Sequence, residues 1–369
     1  MKLSTKAGVA GLASVMLALS SAAPATAAGA RAGSTQMGDV QQALNALAKT
    51  RGVVGAIGAA YVDGKRVDRG SAGSRLLDGK GGRIPANARY RIASQTKTMT
   101  ATMLLQLVNE GKLGLEDKLG DLLPELVSKD LVERASEITV RQLIKMTSGI
   151  PDYPASERFD GFDFTTRYRP VDLVKMAREM PRTGEPGEKF SYSNTNFILL
   201  GMIIEKVTGH ALPAEFNRRL FRPLGMTRTY LPTRPPQGIK GPHGHGYAPD
   251  AQGRPRDVDR LNASTMLGAG GVVSTARDVS TFFRAFYGGK LLPASLQQLI
   301  TFPPRGCEGG KPEFTSHGGG APGLLTSTYT TPDGRSQFAL SVTLSIDHND
   351  RSVVSAISQA AKEVVCPKE

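Results

Sequence analysis

The chain has 369 residues, 46 Lys and Arg against 33 Asp and Glu, a formal charge of +13 and 40% hydrophobic content, enough for one large core or two closely packed lobes. Its basic residues are scattered and never interleaved with aromatics, which argues against nucleic acid and leaves at most a weak attraction to anionic envelope polymers. Only two cysteines, Cys307 and Cys366, are present, which excludes a four-cysteine zinc site and, in an exported chain, reads as one disulfide.

Lys2 and Lys6 precede an uncharged run from Ala7 to Leu19 and then Pro24-Ala25-Thr26-Ala27, the pattern of a secretory signal cut after Ala27. Removing residues 1–27 takes away those two lysines and no acid, leaving a net charge of +11. The run is too short to span a bilayer, and nothing later approaches the ~18 apolar residues a spanning helix needs, so a secreted protein with no membrane anchor is expected. Residues 28–37, rich in Ala, Gly and Ser, are expected to be disordered.

Helical spacing from Asp39 to Lys49 is followed by a small-residue, β-branched strand from Gly52 to Val62, which turns at Asp63-Gly64 into a second strand from Lys65 to Ser71. After a Gly-rich loop at 78–82, a brief strand at Tyr90 to Ile92 leads into a helix. Its apolar residues Met99, Met103, Leu104, Leu107 and Val108 share helical spacing, and Gly111 stops it. From Leu113 to Pro235 the sequence reads as helices and loops. Thr139 caps a short helix through Leu143 and Ile144, Pro170 opens one that ends near Met180, and Thr195 to Val207 is closed by Gly209.

Strands return in the last third. Gly270 to Val273 precedes a helix capped by Ser274 or Thr275 and running to Tyr287, and a further helix covers Ser295 to Ile300. Strands follow at Glu313–Ser316, Leu324–Thr331 and Gln337–Ile346, the last two joined through Pro332-Asp333-Gly334, and a closing helix runs from Arg351 to Val365. The pattern predicts an α+β fold with an antiparallel sheet built from both chain ends. One domain is expected over 38–366, with an α/β lobe from 38–112 and 236–366 and an inserted helical lobe at 113–235.

Three short patterns carry chemistry. Ser94 opens the helix that holds Lys97 one turn on, so the lysine amine reaches the hydroxyl. A serine hydroxyl becomes a useful nucleophile only when a base takes its proton, and a lysine amine does so only when neutral. Taken alone, Ser-x-x-Lys is a weak signal that an ordinary capped surface helix also satisfies. Tyr192-x-Asn194 supplies a second proton carrier and a neutral donor and acceptor, although a helix-capping turn has the same composition. His317-x-Gly319 ends a strand whose glycines let a substrate backbone approach, although a structural histidine in a Gly-rich loop looks alike.

Their order, Ser94-x-x-Lys97, Tyr192-x-Asn194 and His317-x-Gly319, resembles the three motifs of the serine β-lactamase and penicillin-binding protein superfamily in its class C-like branch. The stretches Leu143 to Asp152, Gly201 to Gly209 and Gly270 to Thr275 extend the resemblance across roughly residues 40–366. Secreted D-alanyl-D-alanine carboxypeptidases are most similar, along Tyr192 to Gly209 and in the placement of the two cysteines.

The resemblance implies an acyl-enzyme on Ser94, with Lys97 and Tyr192 moving the proton and Asn194 ordering the site. It implies an oxyanion hole from the N–H groups of Ser94 and Gly320, and substrate contacts near His317 and Gly319. The expected substrate is a peptidoglycan-type peptide or a β-lactam, with no cofactor, no metal and a monomeric enzyme. A β-lactamase, an esterase or amidase of the same fold, or a penicillin-binding sensor without turnover are the alternatives.

Two departures bear on the substrate. Where those carboxypeptidases carry hydroxyls after the histidine, Gly318 and Gly320 offer only backbone, and the segment before Cys307 is shortened. Arg305 is then the candidate to hold a substrate carboxylate, a surface arginine being the plain alternative. The aromatic wall seen in some relatives near Thr265 is missing from a chain with no Trp. His243-x-His245 lies among Gly and Pro with no acidic or cysteine partner at ligand spacing, and is expected to be a solvated loop.

Overall fold

Both ends of the chain feed one sheet. In the computed structural model, which describes residues 36–310 and 312–367, Asp39 caps the first helix by accepting from the Gln42 N–H, and α1 (Val40–Leu47) lays Val40, Ala43, Leu44 and Leu47 on the sheet. The expected signal at 1–27, and nearly all of the stretch 28–37, lie outside the described residues. Strands β1 (Val53–Val62) and β2 (Lys65–Gly73) form the expected hairpin across Asp63-Gly64. Both turn residues take positive φ, 51° and 78°, which is what a two-residue turn between twisted strands demands.

From β2 the chain crosses to the short strand β3 (Tyr90–Arg91) and enters α2 (Gln95–Asn109), which is buried on nearly every side. Thr100 and Thr102 turn their hydroxyls back to carbonyls one turn earlier, Thr102 Oγ1 donating to the Thr98 carbonyl at 2.7 Å, so the burial of these two leaves no orphan donor. A lobe of short helices follows: α3 (Leu119–Leu122), α4 (Pro124–Ser128), α5 (Val140–Lys145), α6 (Pro170–Arg178), α7 (Asn194–Thr208) and α8 (Leu212–Phe216). Thr139 and Gln142 form a reciprocal capping box on α5, and Gly209 ends α7 at φ 70°.

The return contains a hairpin that the sequence pattern did not announce, β4 (Tyr247–Pro249) against β5 (Pro255–Asp257). It also contains α9 (Ala263–Gly270) where a strand was expected to begin at Gly270. Only β6 (Val273–Ser274) is strand there, pairing with β3. Then α10 (Ala276–Tyr287), capped by Thr275, and α11 (Ala294–Gln297) lead to β7 (Arg305–Gly306), β8 (Glu313–Ala321), β9 (Leu324–Thr330), β10 (Ser336–Leu344) and α12 (Arg351–Val365).

Among the described residues six strands form the main sheet in the order β2-β1-β10-β9-β8-β7, with β10 antiparallel to β1 through pairs such as Ala59 with Ala339. One face packs on α1 and α12 through Phe338, Leu340, Val353 and Val364, and the other on α2 and α10 through Met103, Phe282 and Phe286. Covered on both faces, β1 is a nearly unbroken small and apolar run. The expected disulfide is present, joining Cys307 to Cys366 and so tying the β7–β8 connection to the end of α12.

Candidate active site

Ser94 immediately precedes the first turn of α2 and does not use its side chain as a cap. Ala93 before it holds φ at 46°, a left-handed conformation that costs a non-glycine residue of order 1 kcal/mol and turns the chain sharply from β3 into the helix. The hydroxyl it presents is engaged twice: Tyr192 OH lies 2.8 Å from Ser94 Oγ, and Lys97 Nζ lies 3.1 Å away.

Lys97 is 6% exposed. Its amine also donates to Asn194 Oδ1 at 2.7 Å and to the Ala269 carbonyl at 2.6 Å. Those two acceptors can only take N–H bonds. A neutral amine has two N–H groups and one lone pair, so with both bonds made its lone pair faces Ser94 Oγ, the orientation of a base. The protonated amine satisfies the same three partners as a triple donor, so the arrangement holds lysine in either state. Ala269 is presented by a distorted α9, in which Leu267 departs from helical geometry at φ 35°, ψ −127°.

Tyr192 and Asn194 arrive at the start of α7, and the side chain that fixes them is Asp152. Its Oδ1 accepts from the Asn194 backbone N–H at 2.7 Å and its Oδ2 from the Asn194 side-chain amide at 3.1 Å. The first bond satisfies a donor that the helix start leaves without an intrahelical partner. Burial pushes the Asp152 carboxyl above the ordinary carboxylate range, opposed by the bonds from Asn194 and the charge of Lys97. The adjoining chain is pinned in the same way, with Ser193 Oγ and Thr195 Oγ1 both donating to the Pro151 carbonyl. Sequence reasoning placed Asp152 at the end of a flanking stretch and gave it no role. In the sequence it stands three residues after Gly149, and only the fold brings it to the start of α7.

The third motif lies within β8, which runs through the glycines as far as Ala321 instead of ending at Ser316 as expected. A Cβ added at Gly319 would sit 2.6 Å from the Ile92 carbonyl oxygen and 2.8 Å from the Ser94 nitrogen, so the strand is pressed against the mouth of α2 where only glycine fits. Gly320 follows on this strand, half-buried.

His317 departs from the expected substrate contact. It is buried on the inner face of the sheet, with Nε2 2.7 Å from Tyr287 OH and its ring 4.1 Å from that of Phe283. Burial pushes its pKa down to about 3, so the ring is neutral. It supports the strand from beneath.

Arg305 is a second correction. It pairs with Phe314, on the sheet face that packs against α12, opposite to the face of His317. Gly319 is five residues further along β8, ~17 Å at the rise of a strand. The arginine is exposed at the sheet's edge and is not brought to the Ser94 group. His243 and His245 are a third correction: His243 is buried, and Asp257 and Asp259 face the two rings.

A family model described as Beta-lactamase matches residues 40–352. A penicillin-binding protein of Bacillus subtilis (strain 168) is 28% identical over 309 residues, covering 76% of this chain and 66% of its own. Penicillin-binding protein 4 of Amycolatopsis lactamdurans is 31% identical over 186 residues, 50% of this chain and 47% of its own. The chain thus spans less than two thirds of the length of these curated relatives. Among solved structures, a D-stereospecific amidohydrolase from Streptomyces sp. superposes with a TM-score of 0.75 at 31% identity, covering 89% of this chain and 98% of that one. The D-amino acid amidase of Ochrobactrum anthropi SV3, at 23% identity and a TM-score of 0.72 over 88% of this chain and 98% of its own, shares the fold.

Proposed function

The chain belongs to the Beta-lactamase family, within the serine β-lactamase and penicillin-binding protein superfamily of hydrolases, and from that membership we propose that it hydrolyses an amide bond of a D-configured substrate through an acyl-enzyme on Ser94. One observation carries the choice of an amidase-type over a carboxypeptidase-type substrate. The strand beside Ser94 offers glycines in place of hydroxyls, and Arg305, the expected carboxylate holder, sits on the other face of the sheet. The likeness to the Streptomyces amidohydrolase over nearly its whole length supports the same reading.

The steps follow from the contacts. Ser94 Oγ attacks the carbonyl carbon while its proton passes to the neutral Lys97 amine, whose N–H groups are held by Asn194 and Ala269. The tetrahedral oxyanion accepts from the N–H groups of Ser94 and Gly320, each donor contributing ~3–4 kcal/mol. Tyr192 delivers a proton to the leaving nitrogen, the C–N bond breaks, and the lysine proton replenishes the phenol. Water then adds to the ester, gives its proton to the same pair, and the Ser94 oxygen leaves with a proton returned to it.

Release of terminal D-Ala from a peptidoglycan stem is the second reading, supported by the likeness to the penicillin-binding proteins. Export belongs to the same proposal, supported by the signal-like pattern of residues 1–27 and by the Cys307–Cys366 disulfide. Among the described residues no single helix is long and apolar enough to cross a membrane.

The test has two parts. Intact-mass spectrometry after treatment with a serine-reactive fluorophosphonate or a penicillin should give one adduct, mapped to Ser94 and absent from Ser94→Ala. Hydrolysis of D-amino acid amides should exceed that of matched D-Ala-D-Ala donors, with little change when the donor carboxylate is blocked. A strong preference for the free carboxylate returns the assignment to a carboxypeptidase, and an adduct on another serine overturns both readings.

A further inference from the structure

The hairpin β4–β5 closes on a cluster that the Ser94 chemistry does not use. His243 and His245 lead into β4, while Asp257 ends β5 and Asp259 follows it. One ligand atom from each of His243, His245 and Asp259 lies within 4.8 Å of the others.

Each ring is held at Nδ1 by an oxygen. The Gly241 carbonyl lies 2.5 Å from His243 Nδ1, and Asp257 Oδ2 lies 2.7 Å from His245 Nδ1. An Nδ1–H donated to such an oxygen fixes the tautomer and leaves the Nε2 lone pair free, the orientation that backbone carbonyls and carboxylates impose on metal-bound histidines. His243 Nε2 faces Asp259 Oδ1 at 2.7 Å, so with Nδ1–H given to Gly241 a lone pair meets a carboxylate oxygen. At 2.7 Å that contact is a hydrogen bond carried by a proton on His243 Nε2, and a metal ion taking the proton's place would part the two atoms to ~3.2 Å, the spacing of ligands about 2 Å from a tetrahedral centre.

The backbone around the cluster is braced by cations that leave its ligand atoms open. Arg75 Nε donates to the His243 carbonyl at 3.2 Å, and Arg91 Nη2 to the Asp259 carbonyl at 3.0 Å. The two imidazole rings stack at 5.2 Å and 11°.

We propose that His243, His245 and Asp259 form a binding site for a divalent transition-metal ion of the zinc class, with Gly241 and Asp257 orienting the two imidazoles. Two imidazoles and a carboxylate are a ligand set that zinc accepts, and with all three ligand atoms within 4.8 Å of one another and His243 and Asp259 at 2.7 Å, the ~3.2 Å spacing of a tetrahedral site is reached by small side-chain rotations that open the one pair and draw in His245. The ion would pin the two arms of the hairpin. That hairpin abuts the β8–β9 turn, where a Cβ on Gly246 would lie 2.2 Å from the Gly323 carbonyl oxygen, and Arg91 links Asp259 to the strand that delivers Ser94. The role is structural and does not depend on which amide the enzyme cleaves.

The test uses the untagged, disulfide-bonded protein freed of metal by a chelator, with Zn²⁺ and Co²⁺ as probes. Equilibrium dialysis should retain one equivalent of Zn²⁺ per chain at micromolar free ion, raise the melting temperature, and with Co²⁺ give visible ligand-field absorption. His245→Ala and Asp259→Asn should each weaken binding at least ~100-fold and Asp257→Asn ~10–100-fold, whereas His210→Ala and His348→Ala should not. Melting in chelator, equal for His245→Ala and the parent, shows that the variant folds. No retained ion, or an ion retained equally by His245→Ala and Asp259→Asn, overturns the site and leaves a proton between His243 and Asp259.

Discussion

Asp152 grips Asn194 at both its backbone N–H and its side-chain amide, at 2.7 and 3.1 Å. A carboxylate only accepts, so it selects the Asn194 orientation whose NH₂ faces Asp152 and whose Oδ1 faces Lys97. Asp152→Asn removes that selection and lets the amide turn. The expected loss in kcat/KM is ~10–100-fold, worth ~1.4–2.7 kcal/mol, with KM little changed. A larger effect on KM than on kcat would instead place Asp152 against the substrate.

Lys97→Met keeps an unbranched chain in the same buried space and removes the base. The rate of acylation of Ser94, followed by stopped-flow labelling, should fall ~10²–10⁴-fold, while the melting temperature stays near that of the parent. Acylation at the parental rate would assign the proton to Tyr192 alone.

Two neighbouring glycines should behave differently. At Gly319 the added Cβ meets backbone atoms of Ile92 and Ser94, which have nowhere to go, so Gly319→Ala should cost ~1–3 kcal/mol and most of the activity. At Gly318 the nearest atom is Ser327 Oγ at 3.7 Å, and Gly318→Ala should change stability by no more than ~0.5 kcal/mol. Chemical denaturation of the pair reads the contrast directly.

The burial of neutral His317 gives a pH signature. Its folded-state pKa near 3 lies below the unfolded value of 6.5, so between the two the unfolded chain binds more protons. Stability from this group is therefore complete above pH 6.5 and declines on acidification toward pH 3, by up to ~1.4 kcal/mol per pH unit. In NMR titrations its ring resonances should not move between pH 8 and 5. A midpoint near 6.5 would show that the ring reaches water.

The Cys307–Cys366 bridge closes a loop with a sequence separation of 59. By chain entropy such a loop contributes ~4 kcal/mol, and reduction should lower the melting temperature by several degrees. The Ser94 group lies elsewhere, so the reduced protein at low temperature should keep its turnover. An unchanged melting curve on reduction would show that α12 and the β7–β8 connection stay docked without it.

The elements with strong local signals were legible. Ser94 and Lys97 share a helix face by spacing alone, the Asp63-Gly64 turn set the hairpin register, and the order of the three motifs gave the family. What stayed hidden depends on partners distant in sequence. Asp152 matters because α7 begins beside it, and Asp257 and Asp259 meet His243 and His245 only because a short hairpin folds them back. The glycines after His317 looked like the end of a strand, yet β8 runs on through them because β9 pairs along its length. Arg305 was misplaced because strand direction and face cannot be read before the pairing with Phe314 is known.

The pairing of β1 with β10 has a consequence for how the protein is made. The first strand of the sheet has its partner at the other end of the chain, so no ribosome-bound fragment can complete the sheet, and closure waits on the slow search typical of long-range strand pairing. A chain built this way stays unfolded well after its first strand has been made. The same delay leaves the edge of β1, with its run of small and apolar residues, open to wrong partners until synthesis is finished.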